Sequence, residues 1–207
     1  MDTPTTASRR AARWTRGGTA VALLAGAAIT VASVGPAAGN GWSAKAVLRD
    51  TAGTNVGTVR FEGDEGGTVV KINVSGLTEA AGLDIFHGLH VHANPTGGPC
   101  DPTTAQPFSN VGPHWSPSGA SHGSHEGDLP SVLVQADGSG SARSVTARFA
   151  PGDLEGKAVI LHAGPDNLAN VPTRYVTGTP PVAGPDDATK GAGDSGSRLA
   201  CGVVVLD

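Results

Sequence analysis

Short alternating segments dominate the sequence after residue 40 and constrain the fold more than any other feature. Within each segment apolar and polar residues alternate, or Val, Ile and Thr accumulate, and Gly, Pro, Asp or Asn separates it from the next. Asp137-Gly138 is a strong hairpin turn signal between two of them. Eight segments share this pattern: 43–49, 56–62, 68–74, 86–92, 131–136, 142–149, 157–162 and 199–206.

The composition excludes the main helical alternatives. The chain has 31 Gly and 15 Pro, and only 15% of its residues are charged, which does not suit a coiled coil or a helical bundle. No stretch after residue 40 shows helical periodicity over the roughly 10 residues or more that a helix usually has. Eight short strands therefore predict an all-β domain, either a sandwich or a Greek-key barrel.

Two predicted connections, 93–130 and 163–198, are far longer than hairpins require. Both are rich in Gly and Pro, and the second has few apolar residues. Loops of this length in a compact domain usually carry function or are disordered. We therefore expect two long functional loops on the β domain.

The first 40 residues have the layout of a secretory signal peptide. Arg9, Arg10, Arg13 and Arg16 precede a 16-residue apolar stretch, 19–34, and small residues follow it. The stretch is shorter than the roughly 20 residues that span a bilayer, and an uncleaved anchor helix is the alternative. We expect an exported protein, extracellular or in the cell envelope, whose domain comprises residues 41–207 and has no stable membrane span.

Charge and cysteine content narrow the function further. The formal charge is −4, and it becomes −7 without residues 1–40, which carry four Arg and one Asp. This balance argues against a nucleic-acid partner. Two cysteines cannot form a four-thiolate zinc site. In an oxidising compartment Cys100 and Cys201 would pair rather than stay as free thiols, and the bridge would contribute about 4–5 kcal/mol by loop-closure entropy.

Three of the seven histidines lie on one predicted strand. His90 and His92 are two residues apart and therefore face the same side, where both imidazoles could meet one metal ion. His87 has the opposite parity unless a bulge intervenes. We expect His87 to be a structural residue that hydrogen-bonds backbone between loops.

The remaining histidines fit metal binding as a set. His114, His122, His125 and Asp128 have the spacing H-x7-H-x2-H-x2-D, and three imidazoles with one carboxylate make a tetrahedral zinc site. His90, His92 and His162 supply further nitrogens, and four nitrogens in a tetragonal arrangement favour copper(II). The fourth must then come from the loop histidines. A lone histidine is more often a polar core or surface residue, but the strand histidines, the loop cluster and His162 together favour metal binding.

Four motifs carry a resemblance to a known family. FHGLHVHANPTGGPCD, GPHWSPSGASHGSHEGDLP, GKAVILHAGPDNL and GSRLACGVV resemble the copper–zinc superoxide dismutases, in the same order and over about residues 43–207. The resemblance implies an eight-stranded, flattened Greek-key β-barrel with an immunoglobulin-like sandwich architecture. It also implies copper and zinc as cofactors.

The resemblance assigns a role to each residue of the motifs. Asp166 matches a carboxylate that links a copper histidine to a zinc histidine, Arg198 matches the arginine beside the copper, and Cys100 and Cys201 match the family disulfide. His114 matches the bridging ligand that takes part in catalysis. The implied copper ligands are His90, His92, His114 and His162, and the implied zinc ligands are His114, His122, His125 and Asp128.

This sequence also departs from the family pattern. The gap between His122 and His125 is shorter than usual, and the loop 163–198 is longer, with an insertion around 171–185. Lys190 resembles a lysine that steers the substrate towards the copper, whereas Gly191 occupies the position of a common threonine.

The implied function is dismutation of superoxide to dioxygen and hydrogen peroxide. A non-catalytic protein that binds or delivers copper outside the cytoplasm is the alternative, and it could share the barrel while lacking Arg198 or part of the zinc set. A zinc-free copper dismutase is disfavoured by His122, His125 and Asp128. Both monomers and homodimers occur in the family, so a homodimer is a possible assembly.

Overall fold

The computed structural model describes residues 42–207, so the predicted signal peptide lies outside the described residues. Eight strands form one antiparallel sheet: β1 (Ser43–Asp50), β2 (Asn55–Asp64), β3 (Gly67–Val74), β4 (Ile85–His92), β5 (Asp128–Val134), β6 (Gly140–Thr146), β7 (Ala158–His162) and β10 (Arg198–Leu206). Their order in the sheet is β5-β4-β7-β10-β1-β2-β3-β6. The outer strands β5 and β6 approach each other and leave a nearly closed barrel.

The predicted all-β barrel is confirmed, and each of the eight predicted segments overlaps one strand. The boundaries differ by up to three residues because strand pairing, rather than local pattern, sets them. Strand β5 begins at Asp128 because this residue pairs with His90, and β6 begins at Gly140, which pairs with Val74. Among the described residues, no helix is long and apolar enough to cross a membrane.

Alternation along the strands fills the barrel interior with branched and aromatic side chains. Phe61 packs edge-on against Phe149, with 6.1 Å between the ring centroids. Burying each large apolar side chain stabilises the fold by about 1.5–3 kcal/mol. The largest fully buried apolar residues of this interior are Leu48, Val59, Phe61, Val70, Leu89, Leu154 and Leu161.

Strand β4 is buried on both faces from His87 to His92, and this property locates the functional site. Leu89 and Val91 point into the barrel core, while His90 and His92 point outward but are at most 1% exposed. Outward histidines can be buried only if other segments cover them. The two long loops therefore fold over this side of the barrel.

The first long loop is anchored beside β4 and β7. Its backbone follows the end of β4 through hydrogen bonds from Ala93 to Pro113 and from Trp115 to Val91, at 2.9 and 2.8 Å. Phe108 and Val111 pack on Ile160 in a second apolar cluster outside the barrel. The Cys100–Cys201 disulfide closes this cluster, as predicted, and ties the loop to β10.

The second long loop contains local structure that the sequence pattern did not predict. It holds a two-stranded ribbon of β8 (Val176–Thr177) and β9 (Val182–Ala183), followed by helix α1 (Asp187–Ala192). The Asp186 carboxylate caps α1 by accepting a hydrogen bond from the Thr189 amide at 2.9 Å. The helix has only six residues, too few to produce a recognisable period in the sequence. A hydrogen bond of 2.7 Å from the His122 amide to the Lys190 carbonyl joins the two loops.

Candidate metal centre

Four buried histidines converge on one point above β4 and β7. Their ligand-capable atoms all lie within 4.8 Å of one another, and the residues are His90, His92, His114 and His162. Strand β4 supplies the first two, the neighbouring strand β7 ends at the last, and the first loop brings in His114. The set is the one expected to bind copper.

A second group of buried ligands surrounds one oxygen of Asp128. The Oδ1 atom lies 3.2 Å from Nδ1 of His114, 3.2 Å from Nδ1 of His122 and 3.1 Å from Nδ1 of His125. His90, His114, His122 and Asp128 each offer a ligand atom, and these four atoms lie within 4.8 Å of one another. His125 is not in that set and joins the group through its contact with Asp128. The short His122–His125 gap thus still brings all four expected zinc ligands together.

His114 belongs to both groups. Its Nδ1 faces Asp128, which leaves Nε2 for the first group. Its ring lies 4.0 Å from that of His90 and 5.4 Å from that of His125, measured between centroids. A single imidazole can therefore contact one ion through each nitrogen.

Three ring nitrogens at the centre have no hydrogen-bond partner although they are buried: His90 Nδ1, His114 Nε2 and His122 Nδ1. A buried polar atom without a partner costs about 1–3 kcal/mol, and folded proteins rarely leave one unsatisfied. All three point into the two ligand groups. Coordination would satisfy each of them, so these residues fit a pair of metal ions.

Backbone carbonyls fix the orientation of two further imidazoles. His92 donates from Nδ1 to the Gly112 carbonyl at 2.8 Å, and His162 donates from Nδ1 to the Gly196 carbonyl at 3.2 Å. Both rings therefore present Nε2 to the centre, where the two Nε2 atoms lie 3.4 Å apart. Such partners hold a ligand ring in the tautomer that can bind metal.

Asp166 connects the two groups on the side away from the ligand nitrogens. Its Oδ2 accepts a hydrogen bond from Nε2 of His90, and its Oδ1 accepts one from Nε2 of His122, both at 2.7 Å. The Leu168 amide also donates to Oδ1 at 2.7 Å. The link between one histidine of each group is the one that the sequence led us to expect.

Comparison with known proteins assigns the chain to a family. The sequence profile of the family described as copper/zinc superoxide dismutase (SODC) matches residues 55–204. The chain belongs to the copper/zinc superoxide dismutase family. The superoxide dismutase [Cu-Zn] of Mycolicibacterium paratuberculosis is 37% identical over 169 residues, which cover 76% of this chain and 71% of that protein.

Two more relatives show the same likeness. The superoxide dismutase [Cu-Zn] of Mycobacterium tuberculosis is 39% identical over 165 residues, covering 73% of this chain and 65% of that protein. The solved Cu/Zn superoxide dismutase from Brucella abortus superposes with a TM-score of 0.58 at 26% identity. That superposition covers 78% of this chain and 98% of the Brucella chain.

Burial keeps three histidines of the two ligand groups neutral. Burial, with the nearby His90, lowers the pKa of His162 to about 3. Burial also lowers the pKa of His114 to about 4, although the Asp128 carboxylate partly opposes it. The pKa of His92 lies well below 6.5, because of burial and the neighbouring His114. Neutral imidazoles are the form that binds metal.

The carboxylates have the opposite effect at His122. Burial disfavours its charged form, but Asp128 and Asp166 outweigh that penalty and raise the pKa of His122 to about 9. Burial opposes ionisation of Asp128 too, yet the close imidazoles of His114 and His122 hold the pKa of Asp128 far below its usual value. The Asp128 carboxylate therefore stays ionised in this second group, and His122 must lose a proton before its Nδ1 can coordinate a cation.

Arg198 lies at the edge of the first group, at the start of β10 and opposite His162 in the sheet register. Its guanidinium donates to the carbonyls of Phe108 and Gly112, the second at 2.7 Å. Its charge contributes to the low pKa of His92. The first loop thus holds one fixed cation beside the predicted copper ligands.

Arg148 is a residue at this site that the sequence did not point to. It follows β6, and its guanidinium donates to three carbonyls of the zinc-side loop: Gly123 at 3.3 Å, His125 at 3.1 Å and Asp128 at 3.0 Å. No local pattern marks this role, because all three contacts link residues at least 20 positions apart. Arg148 therefore holds the short segment that carries His125 and Asp128.

His87 stays outside both ligand groups, as its parity predicted. It is fully buried, its Nδ1 lies 2.7 Å from the His162 carbonyl, and its Nε2 lies 3.1 Å from the Gly82 carbonyl. Its ring links the segment before β4 to the end of β7. The expectation of a structural histidine between loops is confirmed.

Proposed function

We propose that this chain dismutates superoxide, converting two superoxide ions and two protons into dioxygen and hydrogen peroxide, at a histidine-bridged copper–zinc site. The proposed copper ligands are His90, His92, His114 and His162, and the proposed zinc ligands are His114, His122, His125 and Asp128. The observation that carries the proposal is His114, whose two ring nitrogens face different ligand groups.

The two ligand groups suit different metal ions. Four histidine nitrogens favour copper(II), and three nitrogens with one carboxylate oxygen favour zinc. When bound, copper supplies reversible one-electron chemistry, which zinc does not, while zinc holds its ligands in place. The remaining chemistry depends on the chain's own residues.

His114 is the proposed site of proton transfer. Its Nε2 lies among the copper-side nitrogens and has no hydrogen-bond donor or acceptor of its own. This atom can hold a proton and donate it to the reduced oxygen species, while Nδ1 stays with the zinc-side group.

Arg198 is the proposed anion-binding residue. Two backbone carbonyls restrain its guanidinium beside His92 and His162. The side chain is therefore already ordered before a substrate binds. A fixed guanidinium binds a small anion by a charge-assisted hydrogen bond. It also provides local positive charge in a chain that is acidic overall.

Non-catalytic copper binding or delivery is not favoured. The chain has both Arg198 and the complete zinc-side group, neither of which a copper carrier needs. Metal analysis and superoxide consumption by the purified residues 41–207 separate the two functions. We expect about one copper and one zinc for each chain and rapid loss of superoxide. Copper binding without superoxide loss would instead identify a carrier.

We further propose that the protein acts outside the cytoplasm, with residues 1–40 as its export signal. The Cys100–Cys201 disulfide supports this location because such bonds persist in oxidising compartments. N-terminal sequencing of the protein recovered from outside the cytoplasm tests the cleavage. An N-terminus at Met1 would contradict it. Sedimentation of the same material distinguishes a monomer from a homodimer, both of which occur in the family.

A further inference from the structure

Four basic side chains form a straight row across the side of the sheet that carries none of the proposed metal ligands. The strand register places each directly opposite the next: Lys45 on β1, Arg60 on β2, Lys71 on β3 and Arg143 on β6. All four are on the outward face and at least partly exposed. Adjacent strands lie about 4.8 Å apart, so the backbone positions of this basic row span about 14 Å.

The row concentrates positive charge in an acidic protein. Residues 42–207 contain ten Lys and Arg, and four of these ten lie in the basic row. Like charges directly opposite on neighbouring strands destabilise a sheet. An arrangement with that cost, in a chain with few basic residues, points to a use for the charge.

Nearby carboxylates offset the charge only in part. Asp207 pairs with Lys45 and lies 4.0 Å from Arg60, and Glu62 pairs with Lys71 at 2.6 Å. Arg143 has no carboxylate within ion-pair distance in the described part of the chain. These pairs are solvent-exposed, where ion pairs contribute about 0–1 kcal/mol, so an incoming anion can replace them.

The adjacent row suits hydrogen bonding rather than charge. Two residues along each strand, Val47, Thr58, Asn73 and Ser141 are opposite one another on the same face. Three of them offer hydroxyl or amide groups. Neither row contains an aromatic side chain, so the face lacks the stacking platform with which proteins hold single-stranded nucleic acids.

We propose that this face binds a linear acidic polysaccharide with a carboxylate on each sugar. The basic side chains recur at the strand spacing of about 4.8 Å, so the row can meet several carboxylates of one extended polymer at once. The neighbouring hydroxyl and amide groups would hydrogen-bond sugar hydroxyls. Because the four strands carry none of the proposed metal ligands, the polymer would hold the protein without covering the metal centre.

Binding to polygalacturonate, measured on residues 41–207 by calorimetry at several salt concentrations, tests the proposal. Four charge contacts, each contributing a slope of about 0.7, predict an affinity loss of about 50-fold between 50 and 200 mM salt. The double variant R60Q/R143Q should show about half that slope and weaker binding at low salt. The control variant K157Q/R174Q removes two positive charges elsewhere and should bind like the wild type.

Three results would overturn the proposal. These are no binding by the wild type, equal weakening in both double variants, and equal binding to uncharged dextran or to duplex DNA. In R60Q/R143Q, a thermal unfolding midpoint no lower than that of the wild type, together with unchanged superoxide consumption, would show that any loss of binding comes from the face itself. The outcome does not depend on the proposed enzymatic activity, since the assay measures polymer binding.

Discussion

Gly193 lies directly against the carboxylate of Asp166. A Cβ atom at Gly193 would overlap both Asp166 Oδ1 and His122 Nε2, and the residue also has a φ of +62° as it ends helix α1. The hydrogen bond between Asp166 and the zinc-side histidine therefore requires glycine at this position. Gly193 is 27 positions away from Asp166 in the chain, and its missing side chain leaves the space that this hydrogen bond needs.

We predict that Gly193→Ala separates Asp166 from His122 and weakens zinc binding about 10–100-fold, the usual effect of losing a partner of a metal ligand. Zinc affinity is measured by competition with a chromogenic chelator. Gly191→Ala is the matched control, because a Cβ there meets open space within the same helix. Equal zinc affinity in the two variants would contradict the role of Gly193.

Arg148→Ala should selectively weaken the zinc side. The substitution removes three hydrogen bonds to the carbonyls of Gly123, His125 and Asp128, so the ligand segment loses its anchor. We expect faster zinc loss to a chelator, by about tenfold, with copper retention unchanged. Arg174→Ala, which alters an exposed arginine on the second loop, serves as the control. Simultaneous loss of copper would instead indicate a collapsed site.

The metal-free protein should lose stability as the pH falls from about 6.5 to about 4. The pKa values of His114 and His162 are about 4 and 3 in the folded state, below the 6.5 of an unfolded histidine. In this window the unfolded chain binds protons that the folded chain does not, which favours unfolding. Denaturant midpoints of chelator-treated protein between pH 7 and 4 measure the effect. A midpoint that stays constant or rises with acid would contradict it.

His122 should contribute in the alkaline range with the opposite sign. Its folded-state pKa of about 9 is above the unfolded value, so its contribution is complete below about pH 6.5 and is lost as the pH rises through 9. The carboxylate contacts of His122 predict that Asp166→Asn reduces this alkaline loss in the metal-free protein. The same denaturant series, extended to pH 10, measures it. An alkaline profile identical to that of the wild type would contradict the assignment.

Arg198→Ala should slow superoxide consumption by about tenfold or more and weaken its dependence on ionic strength. Both metals should stay bound, because the guanidinium contacts backbone carbonyls and no ligand atom. Pulse radiolysis at several salt concentrations, with metal analysis of the same sample, tests this expectation. Arg60→Gln, on the opposite side of the sheet, is the control. An unchanged rate at low salt would exclude Arg198 as the anion-binding residue.

The sequence was sufficient for features that depend on local pattern. Alternation with a period of two predicted all eight barrel strands, and the spacing of His90 and His92 predicted a shared face. The loop residues from His114 to Asp128 could be grouped because imidazoles and carboxylates at short intervals have few other uses.

Features that depend on distant contacts were not accessible from the sequence. The space that Gly193 leaves for Asp166 and the three contacts of Arg148 each join residues at least 20 positions apart in the chain. The alignment of Lys45, Arg60, Lys71 and Arg143 likewise follows from strand register, which local pattern does not specify. Helix α1 is too short to produce a period.

The central claim is that two ions share the imidazole of His114. Anomalous diffraction from crystals of the metal-loaded protein, recorded at the copper and zinc absorption edges, tests it most directly. We predict a copper peak next to His114 Nε2, among His90, His92 and His162, and a zinc peak next to His114 Nδ1, among His122, His125 and Asp128. A single peak, or two peaks that are not joined through His114, would contradict the account.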